Sequence, residues 1–342
     1  MNRNFGEKLT DWYAQNKRLL PWRNTPDPYK IWLSEIILQQ TRVNQGKAYY
    51  QRFVETWPDI FSLANASENR VYNLWQGLGY YNRADNLRKT AKIVAGQYNG
   101  KFPEDFETLK TLPGIGDYTA AAIASFAFGK RHPVVDGNVY RVLSRIFGLE
   151  TPINTMKGKR EFTALAFRLM DSHAPANFNE ALMEFGALQC VPHHPDCDTC
   201  IFRNSCIAQS ASRQADFPVK KQKAPAGHRF YCYFVMQIVR NGEIFLYLNK
   251  RTSNDIWRNL YDFPAIENST ALKEPLDSIA EAKKVNLLDK LLYTVGTPSS
   301  VYRQQLTHLK ISACFIPVFL HEPLNNVTKN SLSLVQQKQL IK

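Results

Sequence analysis

Residues 112–142 read LPGIGDYTAAAIASFAFGKRHPVVDGNVYRV, and the organisation of the helical part of the chain is built outward from them. Gly114 and Gly116, one residue apart, separate two helix-like stretches, Phe106 to Thr111 and Thr119 to Phe128. Two glycines at this spacing let the chain turn sharply and leave backbone N–H groups uncovered at a helix N-terminus, a place where a phosphate binds well. An ordinary tight turn is the plainer alternative. Some twenty residues on, Asp136 stands at or just before a helix whose Val139, Val142, Leu143 and Ile146 share one face. Asp there is a common N-cap. A carboxylate so close behind a phosphate-gripping turn would also face whatever that turn holds.

On either side the apolar spacing stays helical from Phe5 to about Ala211, with segments at Tyr29 to Thr41, Lys47 to Phe53, Glu68 to Leu74, Ala84 to Tyr98 and Asn179 to Leu188. Residues 212–228, with Lys220, Lys221 and Lys223 among Pro218, Pro225 and Gly227, read as a linker. Beyond it the period changes to that of strands. Phe230 to Val239 and Glu243 to Leu248 flank Asn241-Gly242, a pair that tolerates the positive φ of a type I′ hairpin turn, so a second, mixed α/β domain is predicted over 229–342. The expected fold class is multidomain, α followed by α/β.

Composition sets the class of partner. The 342 residues carry 43 Lys+Arg against 30 Asp+Glu, a net charge of +13, and are 44% hydrophobic, which suits two packed domains and excludes a disordered or fibrous chain. Before residue 225 the balance is 29 basic to 21 acidic residues and after it 14 to 9, so both parts are basic, at +8 and +5. An anionic partner is expected, such as nucleic acid or a membrane surface, the nucleic-acid reading standing ahead of a merely soluble basic enzyme. The sequence offers no apolar run of membrane-spanning length and no apolar signal core at its start, so a cytoplasmic protein is expected.

Two further features carry chemistry. In Ile31-Trp32-Leu33-Ser34-Glu35-Ile36-Ile37-Leu38, Glu35 is apolar on nearly every side, and desolvation should keep such a carboxyl protonated near neutral pH, as a general acid requires. The alternative is a buried Glu paired with Arg23 or Arg42. With Asp136 as an ionised partner, the pair suits chemistry at a sugar C1′, one group protonating the leaving group and the other stabilising an oxocarbenium ion. Cys190, Cys197, Cys200 and Cys206, spaced C-x6-C-x2-C-x5-C, form a set of thiolates fit for zinc or an iron–sulfur cluster. His193 and His194 read as an exposed loop pair, and Cys232 and Cys314 as small buried apolar residues.

The turn at 112–116 looks like a helix-hairpin-helix DNA-binding element. Together with LPWR (20–23), WLSEIILQQT (32–41), GLGYYNRA (77–84), DGNVYRV (136–142) and the four-cysteine loop, it makes the chain resemble the MutY-type adenine DNA glycosylases of the helix-hairpin-helix, iron–sulfur cluster superfamily. The resemblance implies an all-α core of two lobes, a six-helix barrel at about 23–129 and a cluster lobe at about 1–22 and 130–211, followed by a Nudix-like lesion-recognition domain. It implies a 4Fe-4S cluster on the four cysteines, and a monomeric base-excision repair enzyme. The partner would be duplex DNA in which adenine is mispaired with 8-oxoguanine or guanine, the adenosine being flipped into a pocket.

Residue by residue, the same resemblance makes Glu35 the acid at adenine N7 and Asp136 the stabiliser of the cationic sugar, with Tyr118 and Asn138 lining the pocket. Gln40 and Tyr80 would be the wedge inserted into the duplex, and Gly114, Gly116 and Arg23 would face DNA. The C-terminal lesion-reading loop would be Leu306-Thr307-His308, with Thr307 and His308 as contacts. The Nudix hydrolase R-E-x-x-E-E core is missing from residues 230–342. The related endonuclease III branch carries a lyase lysine where this chain has Tyr118, so a monofunctional glycosylase is expected. An endonuclease III-like glycosylase/lyase for oxidised pyrimidines is the alternative, and a non-enzymatic DNA-binding protein the third.

Overall fold

The structure is a computed structural model and describes residues 2–23, 25–170, 174–222, 227–252, 257, 260–268, 278–279, 282, 288, 291–306, 309–324 and 332–337. The chain divides into two units, Met1–Gln222 and Lys223–Lys342. The described part of the first contains α1 (Asn2–Asn16), α2 (Pro28–Leu38), α3 (Val43–Thr56), α4 (Ile60–Ala64), α5 (Glu68–Trp75), α6 (Asn82–Gln97), α7 (Phe106–Lys110) and α8 (Asp117–Phe128). It continues with α9 (Gly137–Phe147), α10 (Met156–Leu169), α11 (Pro175–Leu188) and α12 (Ile207–Ser210).

Two separate apolar cores organise these helices. One gathers buried residues between Trp22 and Ala124; the other joins α1 to α9, α10 and α11 and takes in Phe202 from the cysteine loop. A helix that is apolar all round must be buried all round. Such a helix is α2, whose Ile31, Trp32, Leu33, Ile36 and Ile37 are all buried and which packs on α3, α6 and α8. Pro28 at its first turn and Asp27 as its cap, accepting from the Tyr29 amide at 3.0 Å, fix where it starts. The alanines of α8, Ala120 to Ala122 and Ala124, are buried and small, so α2 and α11 both lie against it. The chain between α8 and α9 thereby returns Asp136 to the side of α2.

The stretch read as a linker is shorter than expected. Residues 212–222 belong to the helical unit, where Phe217 is buried, the Ile153 amide donates to the Val219 carbonyl at 3.0 Å, and Asn154 exchanges hydrogen bonds of 2.8 Å with the Lys221 backbone. The lysines and prolines hid a single aromatic anchor and a backbone pairing that no local pattern announces.

The second unit is a mixed sheet of β1 (Gly227–Arg240), β2 (Glu243–Lys250), β3 (Tyr261–Asp262), β4 (Ala265–Asn268), β5 (Tyr293–Val295), β6 (Tyr302–Gln305), β7 (Leu309–Leu320) and β8 (Leu332–Gln336). Its order is β3-β2-β1-β7-β5, with β4 paired to β1, β6 to β7 and β8 to β2. Among the described residues only β1 and β7 run parallel. Arg240 faces Glu243 across the first hairpin, and Asn241 and Gly242 between them have φ of 50° and 75°, as a type I′ turn demands. Alternation puts Cys232, Phe234, Met236 and Ile238 in one core with Cys314, Ile316 and Val318, while Tyr231 and Tyr233 pack on the other face. Cys232 and Cys314 are direct cross-strand partners and fully buried. Ile279 and Ala282, helical among the described residues, pack on the first face. Among the described residues no helix is long and apolar enough to cross a membrane.

Candidate active site

A cavity of about 620 Å³ opens between the two cores of the helical unit, and Glu35, Tyr118, Asp136 and Asn138 all line it. Three helices deliver them. Glu35 comes from the middle of α2, Tyr118 from the first turn of α8, and Asp136 from the cap of α9 with Asn138 two residues on, in its first turn.

Glu35 is 8% exposed, and burial pushes its carboxyl up to about 7 from an ordinary 4.5. A hydrogen bond from the Tyr118 hydroxyl opposes that rise and the nearby Asp136 adds to it. The same surroundings hold the Tyr118 hydroxyl well above its usual range, so it stays a donor. The expected alternative, an arginine pair, does not form: Arg23 bonds Glu184 at 2.9 Å and reaches Glu35 only through its field.

Asp136 is at once N-cap and site carboxylate. Its Oδ1 accepts from the Val139 amide at 2.8 Å and its Oδ2 from Asn138 Nδ2 at 2.8 Å. Burial leaves its pKa above the ordinary 3.8, even though these bonds, a further one from the Asn138 amide and the field of Arg141 all act to lower it. Two carboxyls that repel across one cavity resist ionising together, and Glu35, with one hydrogen-bond donor among the described residues against three at Asp136, is the better placed to keep a proton.

The orientation of Asn138 is forced. Arg141 Nη2 donates to Asn138 Oδ1 at 2.8 Å, and since guanidinium has no acceptor, the amide nitrogen must turn toward Asp136. Arg141 also donates to the carbonyls of Gly186 at 2.6 Å and Cys190 at 2.7 Å, so the aspartate's support is fastened to the start of the cysteine loop. Gly186 is the residue that allows the approach, because a Cβ there would stand 2.6 Å from Asn138 Cβ.

Several wall residues went unread in the sequence. Glu184 of α11 is fully buried and accepts from Arg18 Nε at 2.7 Å and Nη2 at 2.8 Å and from Arg23 Nη2 at 2.9 Å. Those two guanidiniums outweigh burial and hold its carboxyl down at about 2. Glu180, one turn earlier, accepts from the Tyr13 hydroxyl at 2.7 Å. The signal that singled out Glu35, a lone acid in an apolar helix, was equally present in Leu182-Met183-Glu184-Phe185.

The expected DNA-facing residues are distributed as follows. Gly114 has φ 78° and a Cβ there would meet Asn86 Cβ at 2.8 Å, so the turn requires glycine. Gly116 caps α8 with no side-chain acceptor, leaving the helix's first amides open. Gln40 and the half-exposed Tyr80 both have left-handed backbone, φ 55° and 48°. Arg23 lines the cavity, its Nη1 buried and without a hydrogen-bond partner among the described residues. Thr307 and His308 lie outside the described residues.

All four cysteines of the loop line one small cavity, with Ile146 of α9 and Phe185 of α11 also in its wall. Arg145 Nη1 lies 3.5 Å from Cys190 Sγ, the Phe202 amide 3.4 Å from Cys200 Sγ, and Gln214 Nε2 3.8 Å from Cys197 Sγ. Burial pushes Cys200 up to about 11 and raises Cys206, so thiolates here need added positive charge beyond Arg145. These donors fit a thiolate-bound group. Among the described residues no three His, Cys, Asp or Glu side chains converge on a point that would hold a single metal ion.

Comparison with known proteins fits this geometry. Residues 33–166 match the family described as HhH-GPD superfamily base excision DNA repair protein. The chain is 34% identical over 284 residues to the adenine DNA glycosylase of Buchnera aphidicola subsp. Acyrthosiphon pisum, covering 83% of this chain and 79% of that protein. It is 41% identical over 219 residues to the Homo sapiens adenine DNA glycosylase, covering 61% and 40%. Among solved structures, a thermostable thymine-DNA glycosylase superposes with a TM-score of 0.57 at 30% identity, covering 61% of this chain and 97% of that one. A trapped endonuclease III–DNA covalent intermediate, at 21% identity and a TM-score of 0.54, covers 61% and 96% and shares the fold. The chain belongs to the adenine DNA glycosylases of the HhH-GPD superfamily, the glycosylase fold here being followed by a C-terminal sheet domain.

Proposed function

We propose that this adenine DNA glycosylase of base-excision repair removes adenine mispaired with 8-oxoguanine or guanine, hydrolysing the N-glycosyl bond without cutting the strand. The observation that carries the mechanism is the unequal carboxyl pair in one cavity, Glu35 with a pKa near 7 and Asp136 with three hydrogen-bond donors. Glu35 donates its proton to adenine N7, which turns the base into a neutral leaving group. Asp136, ionised, faces the sugar as positive charge develops at C1′, and the Asn138–Arg141 pair holds its oxygens in place. Tyr118 supplies a neutral hydroxyl and no amine, so no Schiff base forms with the sugar.

The remaining assignments follow the same reading. Amides beside Gly114 and Gly116 grip backbone phosphate, Gln40 and Tyr80 wedge the duplex open, and Arg23 and Glu184 wall the base pocket. Cys190, Cys197, Cys200 and Cys206 would hold a 4Fe-4S cluster, which when bound ties four points of the chain together beside the Arg141 anchor. The sheet unit serves as a Nudix-like reader of 8-oxoguanine through Thr307 and His308, and the enzyme works in the cytoplasm on nucleoid DNA. Single-turnover assays on duplexes with adenine opposite 8-oxoguanine, guanine or thymine test the function. Alkali-dependent breaks are expected in the first two only, and efficient borohydride trapping of the protein on DNA would contradict a monofunctional enzyme.

A further inference from the structure

We propose that Arg83 is the positioning residue that locks Gln40 and Tyr80 into one two-pronged wedge, so that its loss disables extraction of adenine from the duplex while sparing bond cleavage. The inference rests on the wedge named under Proposed function.

Arg83 lies in the first turn of α6, and its guanidinium joins two segments remote in sequence. Nη1 donates to the carbonyls of Ile36 at 3.0 Å, Ile37 at 3.1 Å and Gln39 at 2.6 Å, which end α2 immediately before Gln40. Nη2 donates to Leu78 at 3.1 Å and Gly79 at 3.3 Å, immediately before Tyr80. Each prong therefore emerges from a carbonyl held by the same planar fork.

Both prongs need such a hold. Gln40 at φ 55° and Tyr80 at φ 48° have left-handed backbone without being glycine, and Gly77 at 94° and Gly79 at 66° make the second loop left-handed at three of four residues. Conformations of this kind persist only where the surroundings over-determine them. Trp75 Nε1 donating to Gly79 at 3.0 Å and the Tyr49 hydroxyl donating to Gln76 at 2.5 Å brace the loop from below. Arg83 completes the frame, its guanidinium 5.0 Å from the Trp75 ring and 5.7 Å from the Tyr80 ring. All five acceptors are carbonyls, three of them at the negative end of the α2 dipole, and they offset part of the cost of burying the cation, a cost that lowers its pKa to about 10. A lysine keeps the charge and loses the fork, so it cannot hold both segments at once.

The test compares single-turnover excision from a fully paired duplex with excision from a duplex whose adenine already lies in a three-base bubble, where unstacking is done. Arg83→Lys is expected to lose about 100-fold on the paired duplex and about threefold at most on the bubble. Tyr80→Ala and Gln40→Ala should show the same split, and Arg83→Lys combined with Tyr80→Ala should be no worse than the poorer single variant. Equal losses on both substrates for Arg83→Lys, with or without a lower Tm, would assign it a merely structural role and overturn the proposal. If Tyr80→Ala and Gln40→Ala excise from the paired duplex at the parent rate, the wedge itself is wrong; if they show the split and Arg83→Lys does not, only the role of Arg83 falls.

Discussion

Glu35 and Asp136 are the same functional group set in two different kinds of backbone. Glu35 projects from the middle of an apolar helix, where every amide is already spent on the helix ladder and the one donor toward it is a tyrosine hydroxyl. Asp136 precedes a helix, where amides are free and a neighbouring side chain adds a third donor. Mid-helix burial preserves a proton; a helix N-terminus stabilises its loss. On the proposed reading, the fold makes an acid and an anion from two carboxyls by placing one inside a helix and the other at its start.

The largest effect should come from removing the anion. Asp136→Asn keeps a good N-cap, so stability should change by about 1 kcal/mol or less. Single-turnover excision should nevertheless fall about 10³-fold or more. A comparable loss of stability would mean that capping is its principal task. Glu35→Gln should cost about 10²–10⁴-fold in excision, and retained activity would remove the acid from the mechanism. Arg141→Lys should cost about 10–100-fold, because one ammonium cannot hold the carbonyls of Cys190 and Gly186 and also orient Asn138. If its activity stayed at the parent level, the support around Asp136 would be redundant.

A further effect concerns stability rather than rate, and its sign follows from the raised Glu35 pKa. Glu35 titrates near 7 in the folded chain and at its ordinary 4.5 when unfolded, so between those values the native state holds a proton that the unfolded state has released. Stability therefore declines as pH rises from about 4.5 through about 7 and is lower by roughly 3 kcal/mol above it. Glu35→Gln removes that decline, so its Tm relative to the parent should be higher at pH 8 than at pH 5. Parallel Tm–pH curves for the two proteins would show that Glu35 is not proton-bound in the fold.

Much of this was legible in the chain, for reasons that name the limits. Glu35 was visible because a single acid in an apolar helix is conspicuous, and Asn241-Gly242 because a type I′ turn tolerates few other pairs. The cap and site readings of Asp136 looked like rivals and are compatible, since the bonds that start α9 also favour the anion. Glu184 was missed although it carried the same signal as Glu35. What separates them is partnership: Arg18 and Arg23 lie more than 160 positions away and pull Glu184 to about 2, while among the described residues no arginine pairs with Glu35. The lysine-rich stretch at 212–222 was misread because its fastening depends on Phe217 and on backbone groups of Ile153 and Asn154, which composition does not display.

The central claim is that Glu35 carries the proton delivered to the base. It is tested most directly by the pH dependence of the single-turnover excision rate on a duplex with adenine opposite 8-oxoguanine, with DNA saturated at every pH. The protonated-Glu35 mechanism predicts a rate that falls about tenfold per pH unit above a midpoint near 7, and a Glu35→Gln variant whose residual rate shows no such midpoint. A parent rate that stays level from pH 6 to pH 9 would contradict it.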